Sequence, residues 1–218
     1  MNKQRLLDRL DRKFGRFAID NLMLYIIIGM GAVFVADTFI FPQLNFSLYS
    51  AMVFDRALFL KGQVWRAVTF LLLPPDSSLI FIFFSLYFYW FIGSALESQW
   101  GSFKFNLFYF TGALCTVAMG FITGFATNYF LNLSLFLAFA IIYPNYELLL
   151  FFCIPVKAKW FALFDAFLLL RSFILSGWAG KLALIIAVGN IILFFWGDIV
   201  FNIKDWKRRR DFKKKWKG

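Results

Sequence analysis

The residues of this 218-residue chain best placed to do chemistry lie inside apolar runs: Asn128, Asn132, Ser134, Asp165, Arg171 and Asn190. A serine in such a setting invites a nucleophile reading, and a serine nucleophile needs a general base within reach. The chain contains no histidine. That removes Ser-His and Cys-His dyads and imidazole metal ligands. An amide such as Asn190 takes no proton near neutral pH, so it cannot act as the base. A Ser-Lys pair is the remaining option, but no lysine lies inside an apolar run, and Lys181 only borders the last one. Asn128 and Asn132, four apart, share one helix face and suit interhelical hydrogen bonds, worth about 0.6 kcal/mol each in lipid. Asp165 and Arg171 are six apart and do not share a face; each costs about 2.5–3.5 kcal/mol if central. Arg171 is expected to snorkel outward and Asp165 to face Lys157 and Lys159. Cys115 and Cys153 sit in apolar surroundings and read as small buried hydrophobes. Two thiols alone make a poor zinc site. No Walker loop or Rossmann glycine pattern is present, so no metal and no cofactor is expected.

Membrane helices must position these residues. Hydrophobic residues make up 61% of the chain and charged residues 16%, against roughly 45–50% and about 25% in soluble domains. Thirty-three Phe and eight Trp are too many for one soluble core of this size. The apolar runs predict six spans, at Leu22–Phe41, Leu79–Leu96, Phe103–Thr123, Thr127–Tyr143, Trp160–Leu175 and Leu182–Val200. A spanning helix needs about 20 mostly apolar residues, with about 17 as the lower limit. The fold class expected is therefore all-α, a polytopic six-helix membrane bundle. It divides into a basic amphipathic interfacial segment at 1–21, a membrane domain at 22–200 and a basic tail at 201–218.

Positive charge sets the orientation. With both termini inside, the cytoplasmic side collects Lys3, Arg5, Arg9, Arg12, Lys13, Arg16, Lys104, Lys157, Lys159 and the Lys and Arg residues from Lys204 to Lys217. The outer side holds only Arg56, Lys61, Arg66 and Lys181. The positive-inside rule favours this arrangement. The net charge of +11 sits mostly at the two ends. Juxtamembrane cations attract anionic lipid, each worth about 1 kcal/mol, so anionic lipid rather than nucleic acid is the expected partner of both termini. Leu6, Leu7, Leu10, Phe14 and Phe17 recur at helical spacing opposite the N-terminal cations, as in an interfacial helix. No cleavable leader pattern precedes the first span.

Helices in lipid gain no hydrophobic drive from meeting, so small residues mark their contacts. Gly112, Thr116, Gly120 and Gly124 form such a stripe on span three. Burial inside the bundle is one use and homo-oligomerisation another. The connection from Pro42 to Ser78 is long for a bundle loop. Its Phe46, Leu48, Tyr49, Met52, Phe54, Leu58, Phe59 and Leu60 do not suit open water. It reads as a structured loop against the outer face, with lateral substrate guidance as its functional alternative.

One block carries more specific information. Trp65-Arg66 closes the long loop, and span two ends in Gly93-Ser94-Ala95-Leu96-Glu97, followed by Ser98-Gln99-Trp100-Gly101. Gly93 permits tight packing, Glu97 caps or pairs at a helix end, and Gly101 turns the chain. This block resembles the rhomboid superfamily, with its Trp-Arg pair in loop one and its Gly-x-x-x-Glu and later Gly at the end of span two. The resemblance spans roughly residues 20 to 200. It implies a six-span fold with both termini in the cytoplasm. The superfamily's protease chemistry uses a Ser in Gly-x-Ser-Gly on span four, a His on span six, and usually His and Asn on span two. Counting back from Glu97, the Asn position falls on Ser85 and the His position on Phe81. Ser134 is the best span-four candidate, in Asn132-Leu133-Ser134-Leu135 without flanking glycines. The span-six position falls nearest Asn190. The resemblance therefore implies vestigial positions and no proteolysis; the alternative is a rhomboid-type protease with a degenerate site.

The second half resembles one inactive branch, the Derlins. Their last span reads Ala-Val-Gly-His, where this chain reads Ala187-Val188-Gly189-Asn190, followed by Phe194-Phe195-Trp196 and Asp198. Pro144, Phe151-Phe152 and Ile154-Pro155-Val156-Lys157-Ala158-Lys159 are also similar to that branch. The chain departs from it at Ser85 and Asn190, and its tail lacks the branch's partner-binding motifs. This resemblance implies a non-catalytic handler of transmembrane client proteins in quality control or trafficking. Its membrane would be the plasma membrane of a prokaryote or the endoplasmic reticulum of a eukaryote. A small transporter or channel component is the opposing class, and it needs a water-filled polar path.

Overall fold

The computed structural model describes residues 11–41, 47–75, 78–150 and 154–175, together with Gly177, Trp178, Lys181, Leu184, Ile185 and Gly189. Most of the expected sixth span, including Asn190, lies outside the described residues, as do Leu6, Leu7, Leu10 and the basic tail.

The described residues are mostly helical. Helix α1 is Leu22–Val35 and runs on into a π-helical turn at Ala36–Ile40. Three short helices follow in the long connection: α2 (Leu48–Met52), α3 (Arg56–Leu60) and α4 (Arg66–Thr69), the last continuing as a 3-10 turn at Phe70–Leu72. Then come α5 (Leu79–Trp100), α6 (Ser102–Thr123), α7 (Tyr129–Ile142) and α8 (Ala158–Leu175). Three helices are long and apolar enough to cross a membrane: the N-terminal one, taken as Asp11–Ile40, and α5 and α6 at 22 residues each. At 1.5 Å per residue, 22 residues reach about 33 Å, enough for a hydrocarbon core of about 30 Å. The chain is thus an integral, multi-pass membrane protein by length and composition. Helix α7 is apolar but has only 14 residues. Helix α8 covers the expected fifth span, but Lys159, Asp165 and Arg171 set it apart from the three long apolar helices.

Packing follows chain order with one exchange. Helix α1 lies against α5, α5 against both α6 and α7, α6 against α7, and α7 against α8. Helix α7 therefore touches three others. Leu131, Leu135, Phe136, Ala138, Phe139 and Ala140 are all buried along it. They join Met30, Phe70, Ile92, Leu96, Phe105, Phe108 and Tyr109 in one core. The outward faces of α5 and α8 are also apolar, with Ile80, Phe83, Tyr87, Phe164, Phe167 and Leu170 exposed. A helix apolar on its outward as well as its inward face, as α5 is over most of its length, suits lipid rather than water.

Two small antiparallel pairs complete the chain. β1 (Phe54–Asp55) pairs with β2 (Phe125–Ala126), so the long connection is stitched to the end of α6. β3 (Glu147–Leu150) pairs with β4 (Ile154–Lys157) in a hairpin between α7 and α8. These two short ladders depart from the all-α class expected from the sequence.

Candidate functional site

The long connection is a folded cap, and its caps and hydrogen bonds explain why. The Asp37 carboxylate, on the π-helical turn ending α1, accepts the backbone N–H groups of Leu48 and Tyr49. The Ser47 hydroxyl accepts from the Ser50 N–H, and Asp55 accepts from the Leu58 N–H at 3.0 Å. Both are N-cap bonds that satisfy helix donors otherwise left open. Arg66 closes the cap. Only 4% exposed, it donates from Nε to Gln63 Oε1 at 2.7 Å, and from one terminal nitrogen to the Ser50 and Val53 carbonyls at 2.8 and 2.7 Å. Charge-assisted hydrogen bonds of this kind are worth about 1.5–3 kcal/mol each. Thr69 adds bonds to the Met52 and Trp65 carbonyls, and the Trp65 ring is exposed.

The cap is bonded to two further helices. Arg56 donates its backbone N–H to the Gly124 carbonyl and its guanidinium to the Phe121 carbonyl, both at the end of α6. Asn128, at the start of α7, donates its side-chain amide to the Leu71 and Leu73 carbonyls at 3.3 and 2.8 Å. Phe54, Phe59 and Phe121 pack as an aromatic trio with ring centroids 5.2–5.6 Å apart.

At the opposite end, Gly93 lets α5 approach α1 closely: a Cβ there would overlap the Met23 side chain. One turn on, Glu97 Oε1 accepts the backbone N–H of Asn21 at 2.8 Å, just where α1 begins. Gly101 then turns the chain from α5 into α6 with φ +84°, in the left-handed half of the map where a Cβ is strained.

The span-three stripe divides. Thr116 hydrogen-bonds the Gly112 carbonyl within its own helix. Gly120 lies against the Phe54 ring and the Ala126 Cβ, so its contact is the cap and strand β2 rather than a neighbouring helix. Gly124 is past the helix end, at φ +97°, with its N–H bonded to the Gly120 carbonyl.

Three of the four vestigial positions, Ser134, Ser85 and Phe81, lie among the described residues. Ser134 is buried, and its hydroxyl donates to the Leu131 carbonyl at 2.7 Å within α7. Ser85 is half-buried and Phe81 exposed on α5. Asn190 lies outside the described residues, so its relation to Ser134 does not enter the geometry. A Cβ on Gly189 would meet no atom within 4 Å among the described residues. No group of three or more Cys, Asp and Glu side chains suited to a metal occurs among the described residues.

Sequence reasoning singled out Asn132 but missed Asn106 and Tyr109. Asn106 Oδ1, the Tyr109 hydroxyl and Asn132 Oδ1 are buried without a protein hydrogen bond. They are contributed by α6 and α7, and the Asn132 amide lies beside the Tyr89 hydroxyl of α5. Asn106 and Tyr109, three apart on α6, were visible as a polar pair in an apolar run, but their burial was not. Asp37, Arg56 and Glu97 act across 11, 65 and 76 residues of sequence, and such partners leave no local signal.

No protein-family model matches the chain, and no curated protein matches it.

Proposed function

We propose that this chain is a non-catalytic, rhomboid-like membrane protein, nearest in kind to the Derlins, that binds other membrane proteins laterally. In this reading it has six spans and both termini on the cytoplasmic side. The observation that carries the proposal is helix α7. It is 14 residues long, touches α5, α6 and α8, and ties its one serine hydroxyl to its own backbone. Fourteen residues reach about 21 Å, less than a hydrocarbon core. Non-helical backbone at membrane depth is tolerated only under cover of protein, and here the capped loop covers the Asn128 end. A short central helix under a folded loop supports the rhomboid-like arrangement. A hydroxyl engaged by Leu131, in a chain without histidine, supports its silence as a protease.

Lateral binding rests on the exposed apolar face of α5 beside the cap, at Ile80, Phe81 and Phe83. A photo-crosslinker at Phe81 should capture single-span membrane proteins, while one at Gly120 should capture only the chain itself. Purified protein in bilayer should cleave no model transmembrane substrate. Labelling of Ser134 by a fluorophosphonate would defeat the non-catalytic reading and favour the degenerate protease.

The buried Asn106 Oδ1, Tyr109 hydroxyl and Asn132 Oδ1, which have no protein hydrogen bond, favour a second reading, a small transporter or channel component. Solute uptake that is lost in Asn132→Leu, with only lipid captured from Phe81, would prefer it.

A further inference from the structure

We infer that the junction of α5, α6 and α7 binds internal water, held by Asn106 and Tyr109 of α6 and Asn132 of α7. These side chains are 6, 0 and 3% exposed, and Asn106 Oδ1, the Tyr109 hydroxyl and Asn132 Oδ1 make no hydrogen bond among the described residues. The two helices that carry them pack against each other, and α5 packs against both. A buried polar atom left unpaired costs about 1–3 kcal/mol. Three such atoms in one core call for a ligand that meets them.

The chemistry of the three atoms selects that ligand. An amide oxygen only accepts, and a phenol hydroxyl donates and accepts. The ligand must therefore offer donors, which excludes a halide or a carboxylate. A bare cation would suit the oxygens, but α6 and α7 carry no Asp or Glu, and the one acid of α5, Glu97, is engaged with the Asn21 N–H. A cation there would lack a countercharge, and an unpaired buried charge costs far more than a neutral ligand. Water offers both donors and acceptors, and commonly makes about three hydrogen bonds when buried.

The axial order of the polar groups gives water a path. At 1.5 Å per residue, Asn106, Tyr109 and Tyr89 stand about 7.5, 12 and 18 Å along their helices from the Gly101 turn. The Tyr89 hydroxyl lies beside the Asn132 amide and within electrostatic reach of the Tyr109 hydroxyl. Asn132 is one turn past Asn128, whose amide is engaged by the Leu71 and Leu73 carbonyls of the cap. The groups thus form a file that starts near the Gly101 side and ends under the cap. Water held along it would couple α6 to α7 through hydrogen bonds, whichever functional reading holds.

The test is radiolytic footprinting of the full wild-type chain in nanodiscs of phosphatidylcholine and phosphatidylglycerol, read by mass spectrometry at each aromatic residue. A hydroxyl radical born from a bound water labels the side chain beside it, whereas radicals from bulk water do not reach a dry core. Phe70 and Phe139, 0 and 1% exposed, are the core references. Corrected for the intrinsic reactivity of each residue type, oxygen addition at Tyr109 should exceed theirs several-fold. On mixing with oxygen-18 water just before the pulse, the Tyr109 adduct should take up the heavy isotope later than the adduct at the exposed Tyr49. Label at Tyr109 no higher than at the references would mean that protein groups supply the missing bonds, and would overturn the proposal. Heavy isotope at Tyr109 as early as at Tyr49 would show a solvent-filled path rather than bound water, and would overturn it in favour of the transporter. Loss of the Tyr109 label when sodium or potassium replaces choline would show a cation on the oxygens, a third contrary result. Asn106→Leu removes one acceptor at similar volume and should cut the Tyr109 label several-fold while Phe139 stays unchanged. An undiminished label in the folded variant would remove Asn106 from the site and overturn the assignment. If the variant unfolds, label rises at Phe70 and Phe139 alike, and the two wild-type measurements still decide.

Discussion

The Glu97 carboxylate holds the backbone N–H of Asn21, so the last turn of α5 fixes the first residue before α1. Asn21 itself adopts φ 55°, a left-handed conformation that asparagine tolerates better than most residues. Glu97→Ala should lower stability in detergent by about 1 kcal/mol, the low end for a charged acceptor because solvent reaches the pair. Asn21→Gly keeps the N–H and suits the positive φ, so its melting temperature should stay at or slightly above that of the parent. A larger loss in Asn21→Gly than in Glu97→Ala would mean that the asparagine side chain, not the backbone bond, matters here.

Arg66 is the keystone of the capped loop. Arg66→Ala leaves the part-buried Ser50 and Val53 carbonyls without their donor, at about 1 kcal/mol each, since water reaches that side. Arg66→Lys offers a point charge in place of a planar fork and should rescue only part of the loss. Limited proteolysis from the loop side reads this directly: cleavage between Leu48 and Lys61 should speed up in Arg66→Ala and be intermediate in Arg66→Lys. Unchanged cleavage in Arg66→Ala would show that the cap holds without its arginine.

Gly120 meets a ring rather than a helix backbone. Gly120→Ala drives a methyl into Phe54 and should cost about 1–3 kcal/mol, as overpacking commonly does. Ile122→Ala, at an exposed position on the same helix, should cost less. Phe54→Leu should relieve part of the Gly120→Ala penalty in the double variant. Strict additivity of the two substitutions would place something other than Phe54 over Gly120.

Asn128 supplies donors to two carbonyls. Asn128→Asp replaces those donors with acceptors and points negative charge at the Leu71 and Leu73 oxygens. It should destabilise more than Asn128→Ala, which leaves the carbonyls merely unpaired. Thermal unfolding of both variants, at a pH where the aspartate is ionised, checks the order; the reverse order would exclude the two-carbonyl clamp.

Topology is open to a direct check. Accessibility tags at Lys61 and Lys181 should report the outer side, and tags at Lys104 and Lys157 the cytoplasmic side. A cytoplasmic signal at Lys61 would reverse the proposed orientation.

Much of the helical layout is legible in the sequence because lipid imposes a simple rule: a span is an unbroken apolar stretch of fixed length. Expected spans of Leu22–Phe41, Leu79–Leu96 and Phe103–Thr123 correspond to helices ending at Ile40, Trp100 and Thr123. Gly101 punctuates the second and third because no other residue type takes its φ comfortably. The same rule hides what is not helix. Leu148 to Val156 is continuously apolar and carries no alternation, so its pairing as a hairpin emerges only from the backbone ladder. The Gly112–Gly124 periodicity identifies a helix face but not what meets it, and Phe54 arrives from 66 residues earlier in the sequence. Partners such as Asn21 for Glu97 depend on the tertiary crossing at Gly93 and Met23. The site expected around Ser134 includes Asn190, which lies outside the described residues, and the Ser134 hydroxyl donates to the Leu131 carbonyl one turn back on its own helix.

The capped loop is bonded to three helices at once: to the end of α1 through Asp37, to the end of α6 through Arg56 and the β1–β2 pair, and to the start of α7 through Asn128. Mechanically it is a bracket. A sideways load on any one of these ends is shared by the other two, so they yield together or not at all. A chain dragged past Trp65 would therefore pull against three anchored posts, and the give in the bundle has to come from helices that the bracket does not hold.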